Sequence, residues 1–227
     1  MYFLKNYKPI KLEVILPEWL HSIELLCHTS KHRKDFMKPT KHNKADLTSC
    51  YGMIETQKKS LTLTAWTDME VRLTPQELTF STVVNDQIHL TPHTEQAPAF
   101  CQSKNMSIFK VTAPIFVRCK EDVQFVVCQT PFNFLDFHLP SGVVSFKHQQ
   151  ALNVFIYVPK GVTRTITWNF GEALLNLFPL SERKVKLKYI YDTDLFNKYQ
   201  SSQRWFFLKH RMYKMGAKNI PVNWIQP

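Results

Sequence analysis

The sequence predicts a mainly β protein whose core is an antiparallel β-sandwich of jelly-roll-like type. Between Leu61 and Tyr191 the chain divides into short segments rich in β-branched and aromatic residues. Proline and polar turns separate these segments at the spacing typical of sandwiches and jelly rolls. After Asp192 the period-two alternation is lost, which predicts that an amphipathic α-helix follows the strands.

Three regions follow from this pattern. Residues 1–50 are predicted to form an N-terminal arm with an edge strand and a basic loop, residues 51–192 the β-sandwich core, and residues 193–227 a C-terminal helix and tail. A chain of 227 residues is long enough to bury a sizeable core, so one main domain with two appendages is expected.

Within the arm, residues 11–17 are predicted to form the edge strand, and residues 18–27 either a short helix or a second strand. Residues 28–44 carry many positive charges and lack periodicity, which predicts an exposed loop.

In the core, residues 69–73 and 78–84 are expected to form a hairpin, with Pro75 at a turn position that suits its fixed φ. Pro114 has no amide proton to donate, so it marks a bend, a bulge or an edge. Residues 85–105 are polar and are interpreted as a long connection. Further strands are expected at residues 61–66, 107–119, 123–130, 142–146, 151–158, 163–168, 172–178 and 184–191.

The C-terminal helix is predicted from apolar residues that recur near helical spacing. Asp192 or Thr193 is the candidate N-cap, and Gly216 suits the position just after the last helical residue. Packing of this helix on the sandwich is the favoured interpretation, and docking onto a partner subunit is the alternative.

Charge and cysteine content limit the class of protein. Lys+Arg 29 against Asp+Glu 18 gives a formal net charge of +11, which favours an acidic partner without choosing among nucleic acid, a membrane surface and an acidic protein. The five cysteines are scattered with no Cys-x-x-Cys pair, which indicates reduced thiols in a cytosolic setting. No apolar stretch is long enough for a membrane-spanning helix.

A metal site is the most specific chemistry that the sequence offers. His93 and Glu95 have the His-x-Glu spacing of a facial triad, and His148, with His138 as the alternative, would supply the third ligand. Residues 159–164 are similar to the second cupin motif, but Arg164 stands at the ligand position, and a guanidinium does not coordinate a metal in the ordinary way. These residues are weak candidates, so no metal and no cofactor are predicted.

Other catalytic motifs are not found in the sequence. It contains no Gly-x-Ser-x-Gly elbow, no Gly-x-Gly-x-x-Gly and no Walker-type phosphate loop. The neighbouring carboxylates Glu121 and Asp122 fall at a predicted turn and are interpreted as solvated. The sequence therefore predicts no catalytic residues and favours a protein that is not an enzyme.

Partner contacts are expected in the two basic extensions, because cations mixed with aromatic side chains suit acidic or amphipathic partners. The candidates are Arg33, Lys34, Lys38, Lys41, Arg204, Trp205, Phe207, Lys209, Arg211 and Lys214. Weak, non-specific contact with nucleic acid is a further option for these segments.

The segment order resembles an uncharacterised β-sandwich family, cupin-like or jelly-roll in shape, that is encoded by marine tailed bacteriophages. The likeness runs over about residues 50–192 and is carried by residues 49–54, 62–71 and 169–183. Tyr51 stands where that family usually has Pro. The family has no established activity, so the resemblance implies a fold and a phage origin and assigns no catalytic residue.

Together these observations predict a virion structural protein, a capsid, neck, tail or fibre component that acts through contacts between subunits. Its expected partners are other virion proteins and copies of itself, with no membrane partner, and it is expected to be made and assembled in the host cytoplasm. The alternatives are a metal-dependent cupin-type dioxygenase using His93, Glu95 and His148, and a host-takeover factor that binds a host protein or an acidic ligand.

Overall fold

The computed structural model describes residues 7–31, 55, 57–73, 78–82, 89–92, 106–130, 138–161 and 163–201. These residues form a mainly β protein, as the sequence predicts, and the strands lie in three sheets. The strands are β1 (Ile10–Leu16), β2 (Leu26–His28), β3 (Leu61–Thr64), β4 (Met69–Leu73), β5 (Leu78–Thr82), β6 (His89–Pro92), β7 (Met106–Cys119), β8 (Gln124–Gln129), β9 (Gly142–Ser145), β10 (Ala151–Pro159), β11 (Arg164–Trp168), β12 (Ala173–Pro179) and β13 (Val185–Tyr191).

The first sheet has the strand order β10-β7-β1-β13, and β6 also pairs with β7. The prediction that β1 is an edge strand was wrong, because β1 pairs with β7 on one side and with β13 on the other. Its sequence fits an internal position, since Ile15 is buried although it points away from the face that Ile10 and Leu12 bury. The β1–β13 pair is parallel, whereas every other strand pair in the described part is antiparallel.

Strand β7 continues through Pro114, and the expected irregularity lies at this proline. On the β10 side, the register shifts between Ala151, which pairs with Phe116, and Asn153, which pairs with Thr112. On the opposite side, β6 pairs with residues 109–112 and β1 with residues 116–119. Pro114 therefore lies at a bulge and between two partner strands, where no amide proton is needed.

The second sheet has the order β2-β3-β12-β8-β9, and the third has the order β11-β4-β5. The predicted hairpin is confirmed in its strands, since β4 and β5 pair antiparallel from Met69–Thr82 to Leu73–Leu78. Its turn, with Pro75, lies outside the described residues. Strand β6 lies within residues 85–105, so the prediction that this whole stretch is a connection was wrong.

One hydrophobic core joins the three sheets. Its buried side chains come from the first sheet (Leu12, Val117), the second sheet (Phe125, Leu177) and the third sheet (Ile166), all at most 5% exposed. Phe125 and Phe146 pack as a tilted aromatic pair with ring centroids 5.2 Å apart. Burying this much apolar surface from three sheets is what holds the strands together.

We call the face of each sheet that points away from this core its outer face. On the outer face of the second sheet, four buried neutral polar side chains form a hydrogen-bonded chain. Ser60 Oγ donates to Thr29 Oγ1 at 2.7 Å, Thr29 and Thr62 share a hydroxyl contact at 2.8 Å, and Thr62 Oγ1 donates to Asn176 Oδ1 at 2.9 Å. We call this set the hydroxyl–amide chain.

Residues 18–27, expected to be either a short helix or a strand, contain a 3₁₀ turn and most of a short strand. A 3₁₀ turn covers Glu18–Leu20, and β2 follows at Leu26–His28. Strands β1 and β2 both belong to the sheets. The division of the chain at residues 50 and 192 stays a prediction.

The predicted C-terminal helix begins as expected, and its described part covers residues 193–201. Asp192 is the N-cap, because its Oδ1 accepts a hydrogen bond from the Leu195 amide at 2.8 Å. The helix packs on the outer face of the first sheet, where Phe196 and Tyr199 contact Phe116 at ring-centroid distances of 5.0 Å and 5.7 Å. Gly216 and the rest of the predicted helix lie outside the described residues.

Candidate functional site

Of the candidate metal ligands, His138 and His148 lie among the described residues. His138 forms a backbone β-bridge with Tyr157, whereas the side chain of His148 contacts an acid. Its Nε2 is 3.3 Å from Asp122 Oδ2, while Ser145 Oγ donates to Asp122 Oδ1 at 2.6 Å. His93 and Glu95 lie outside the described residues. Within the described ranges, no three His, Cys, Asp or Glu side chains are grouped so that they could hold a metal ion.

The three side chains Ser145, Asp122 and His148 are those of a hydrolase triad, but their order differs. The carboxylate lies in the middle and binds both the hydroxyl and the imidazole. In a triad the imidazole must contact the hydroxyl in order to take its proton. The contacts instead stabilise the carboxylate, and hydrogen bonds from Ser145 and then His148 lower the pKa of Asp122.

The neighbouring carboxylate, Glu121, is held by Arg183. Arg183 Nη2 donates to Glu121 Oε1 at 3.0 Å, Nη1 donates to the other carboxylate oxygen, and Nε donates to the Lys8 carbonyl at 2.7 Å. This bidentate bond lowers the pKa of Glu121. Both carboxylates lie on the surface, as expected, but the interpretation that they are simply solvated was incomplete because each has protein partners.

The cupin-like turn also has a structural role. Strand β10 ends at Pro159, Gly161 adopts φ +75°, and β11 begins at Arg164, which lies opposite Leu73 in the ladder. A residue with positive φ favours glycine, which explains Gly161. Arg164 is thus an element of the β4–β11 pairing.

A small cavity of about 160 Å³ lies near β8, β9 and β10. Apolar side chains such as Val127, Leu139 and Leu175 line much of it, together with Cys128. Burial raises the pKa of the Cys128 thiol, so this cysteine lacks the thiolate character of a nucleophile. Cys119 and Cys128 are free thiols.

The most distinctive polar surface lies on the outer face of the first sheet. Strand β13 is an edge strand of the described part of this sheet, and Lys186 and Lys188 alternate with Val185, Leu187 and Tyr189, which face the core. Lys11 of β1 lies directly opposite Lys186, and paired residues share a face. We call the exposed lysines of this surface the lysine strip: Lys11, Lys120, Lys184, Lys186 and Lys188.

The two ends of the strip are fixed by the ladders. Lys184 directly precedes β13, and its carbonyl accepts a hydrogen bond from the Ile10 amide at 2.8 Å. Lys120 directly follows Cys119, which pairs with Leu12, so the antiparallel register brings Lys120 beside Lys11. Five ammonium groups from three adjacent chain segments are therefore concentrated on one surface.

The acids nearest the strip are already paired with arginines. On the outer face, Glu13 lies opposite both Lys188 and Arg118, and it accepts a hydrogen bond from Arg118 Nε at 2.6 Å. Arg118 Nη1 also donates to the Tyr199 hydroxyl at 3.2 Å, which links the strip to the C-terminal helix. The bond to Glu13 raises the pKa of Arg118.

Sequence reasoning missed the lysine strip. The alternation of lysines with apolar residues at 184–189 was read as a strand, but its facing partner Lys11 lies more than 170 positions away in the chain. All the predicted partner-contact residues, from Arg33 to Lys41 and from Arg204 to Lys214, lie outside the described residues.

No helix within the described ranges is long and apolar enough to cross a membrane. In comparisons with known proteins, no protein-family model matches the chain. No curated protein matches it either.

Proposed function

We propose that this chain is a structural protein of a bacteriophage particle, in which a jelly-roll-like β-sandwich is the platform for contacts between subunits. The observation that carries the proposal is the joining of the first and last strands. β1 and β13 pair over seven consecutive residues each, and the helix at 193–201 packs on the same sheet.

This arrangement anchors the segment just before β1 and the start of the C-terminal helix on one sheet, whereas the basic loop predicted at residues 28–44 follows β2 of the second sheet. The segment before β1 is held by the Arg183 bond to the Lys8 carbonyl, and the helix is held by Asp192 and by the stacking on Phe116. In a symmetric assembly each copy must present the same contact surfaces in the same places. Extensions that start from fixed points on a rigid sheet meet this requirement.

The resemblance to the phage β-sandwich family supports the same proposal. Its opening motif includes β3 and its closing motif includes β12, and these two strands are paired neighbours in the second sheet, with Thr62 opposite Asn176. The resemblance therefore covers residues that lie together in the fold. Other virion proteins and further copies of this chain are the proposed partners, and assembly in the host cytoplasm is the proposed setting.

The direct test is quantitative mass spectrometry of purified particles produced by the genome that encodes this chain. The proposal predicts that the chain is present in a fixed ratio to the main particle proteins after density-gradient purification, while abundant non-particle proteins are depleted as the contamination control. Absence from the particles would contradict the proposal. Absence combined with expression early in infection would favour the host-takeover alternative.

A further inference from the structure

We propose that the lysine strip binds the phosphate backbone of duplex nucleic acid, independently of base sequence. The site is a surface on folded β-strands, separate from the two basic extensions. It does not depend on the proposed virion role, because the binding is measured on purified protein.

The lysine strip concentrates positive charge on one surface. The strip brings together five lysines, and three acids beside it in the ladder or the sequence each have another cation as partner: Arg118 binds Glu13, Arg183 binds Glu121 and Lys59 binds Glu182. No described acidic side chain forms an ion pair with a strip lysine. Such an excess of unneutralised cations on one surface is complementary to a polyanion and raises its local concentration.

The length of the lysine row can be compared with the spacing of phosphates along a duplex. Alternate residues of a strand are about 6.7 Å apart, so Lys184, Lys186 and Lys188 form a straight row of about 13 Å. One strand of a duplex carries a phosphate about every 3.4 Å along its axis, and the row therefore spans about four phosphates. Lys11 and Lys120 widen the row into a band.

The side chains of the strip suit nucleic acid better than an anionic membrane. All five side chains of the strip end in ammonium groups, which contact phosphate as compact point charges and lack the planar guanidinium with which arginine stacks on rings. Contacts to phosphate carry no sequence information. Stable attachment to an anionic membrane needs apolar insertion besides charge. The apolar side chains on this outer face, Ile15 and Ile190, are packed against the helix at 193–201 and are not offered to a partner.

Exposed lysines on an edge strand also have a structural role, which differs from phosphate binding. Charged side chains on an edge strand also prevent two sheets from pairing edge to edge. That role predicts that loss of the lysines promotes self-association and leaves binding to nucleic acid unchanged. The proposal predicts loss of binding.

The experiment compares two triple variants of the full chain by fluorescence anisotropy with a 20-base-pair duplex of arbitrary sequence. The strip variant carries Lys184→Gln, Lys186→Gln and Lys188→Gln. The control variant carries Lys58→Gln, Lys147→Gln and Lys160→Gln, which remove the same charge from exposed positions on other surfaces. Both variants keep the basic extensions, so the comparison isolates the strip. Thermal unfolding checks that both are folded, and Lys11→Gln with Lys120→Gln serves as a second strip variant.

The strip variant is expected to bind about tenfold or more weakly at 0.1 M salt. The slope of log Kobs against log salt should fall by roughly 2.7, at about 0.9 for each lost phosphate contact. The control variant should match the wild type in affinity and slope. Duplexes of different sequence should bind alike, and a single strand of equal length more weakly.

Three results would overturn the proposal. One is equal affinity and slope for the strip and control variants. Another is no wild-type binding to duplex at 50 mM salt. The third is tighter binding to polyglutamate or to vesicles containing phosphatidylserine than to the duplex, which would assign the strip to a different partner class. Failure of this test leaves the particle measurement unaffected, so the two proposals can fail separately.

Discussion

The outer faces of the two five-stranded sheets carry polar side chains of opposite kinds, buried and neutral on one sheet, exposed and charged on the other. On the second sheet, Thr62 and Asn176 are each 1% exposed and satisfy one another through neutral hydrogen bonds. On the first sheet, the lysines beside β1 and β13 are exposed. Burying a neutral hydrogen-bonded group costs little, whereas burying an unpaired ammonium costs several kcal/mol. We conclude that the second sheet uses its outer face for internal packing and the first leaves part of its outer face exposed.

The first sheet itself is divided. Phe116, Ile15 and Ala151 are buried under the helix at 193–201, and the lysine strip lies beside this covered part. Arg118 connects the two parts, because it binds Glu13 within the sheet and Tyr199 on the helix. The helix thus covers the apolar part of the face and leaves the charged part open.

The largest expected effect tests the covered part. Phe116→Ala removes a ring that is 3% exposed, stacks with Tyr199 and packs in a tilted arrangement against Phe196, so it should lower the free energy of unfolding by about 3–5 kcal/mol. Denaturant unfolding measures the loss. Limited proteolysis after Lys198 should also become faster as the helix detaches.

Tyr199→Phe is the matched control for that variant. It keeps the aromatic ring on Phe116 and removes only the hydroxyl that accepts from Arg118, so its cost should be about 1 kcal/mol or less. Equal losses for the two variants would show that the helix is not held by aromatic packing.

The second prediction tests the buried hydroxyl–amide chain. Asn176→Ala leaves the Thr62 hydroxyl buried without its acceptor, and Thr62→Val leaves the Asn176 carbonyl without its donor. Each should lower the free energy of unfolding by about 1–3 kcal/mol. The double variant should cost less than the sum, because neither group is then left unpaired.

Urea unfolding of the four proteins in this cycle provides the measurement. Thr62→Ser is the control, since it retains the hydroxyl and should cost less than Thr62→Val. Strict additivity of the two single losses would mean that the hydrogen bond between Thr62 and Asn176 contributes nothing to stability. The two side chains of the hydroxyl–amide chain would then act independently.

The same comparison shows what the sequence could predict. Period-two alternation located the strands around Leu63, Val154 and Leu187, since burial of one face leaves a local signal in the chain. The register of Lys11 with Lys186 leaves no such signal, because strands far apart in sequence are paired by the packing of the whole core. For the same reason β1 was assigned to an edge, and its parallel partner was not foreseen.

Contacts at the candidate site could not be predicted from the sequence for the same reason. His148 was singled out for its side chain, but its partner Asp122 lies 26 positions away in a loop that was interpreted as solvated. The burial of Asn176 against Thr62 is likewise visible only in the fold. Residue type indicates which chemistry is available, and the tertiary contacts decide which part of it is used.

The smallest expected effect concerns the exposed acids, which complete the contrast with the buried chain. The folded state lowers the pKa of Asp122 below its ordinary value, chiefly through the Ser145 hydroxyl. A carboxylate of this kind stabilises the fold above the pKa it has when unfolded, near 3.8, and the contribution is lost as pH falls through the folded pKa. Asp122→Asn should therefore lower the unfolding temperature slightly at pH 6, and the difference from wild type should shrink below pH 3.8 and vanish once the pH is below the folded pKa.

Thermal unfolding of wild type and Asp122→Asn across this pH range, with and without Ser145→Ala, measures the contribution of the bond. In the Ser145→Ala background the difference should be smaller at pH 6, because the strongest donor to the carboxylate is gone. A pH-independent difference would assign the effect of Asp122→Asn to packing and not to charge. Because the group is exposed and screened by solvent, its effect should remain well below that of Asn176→Ala, although both side chains accept a hydrogen bond from a hydroxyl at under 3 Å. Burial, more than hydrogen-bond length, then sets what a polar contact contributes to this fold.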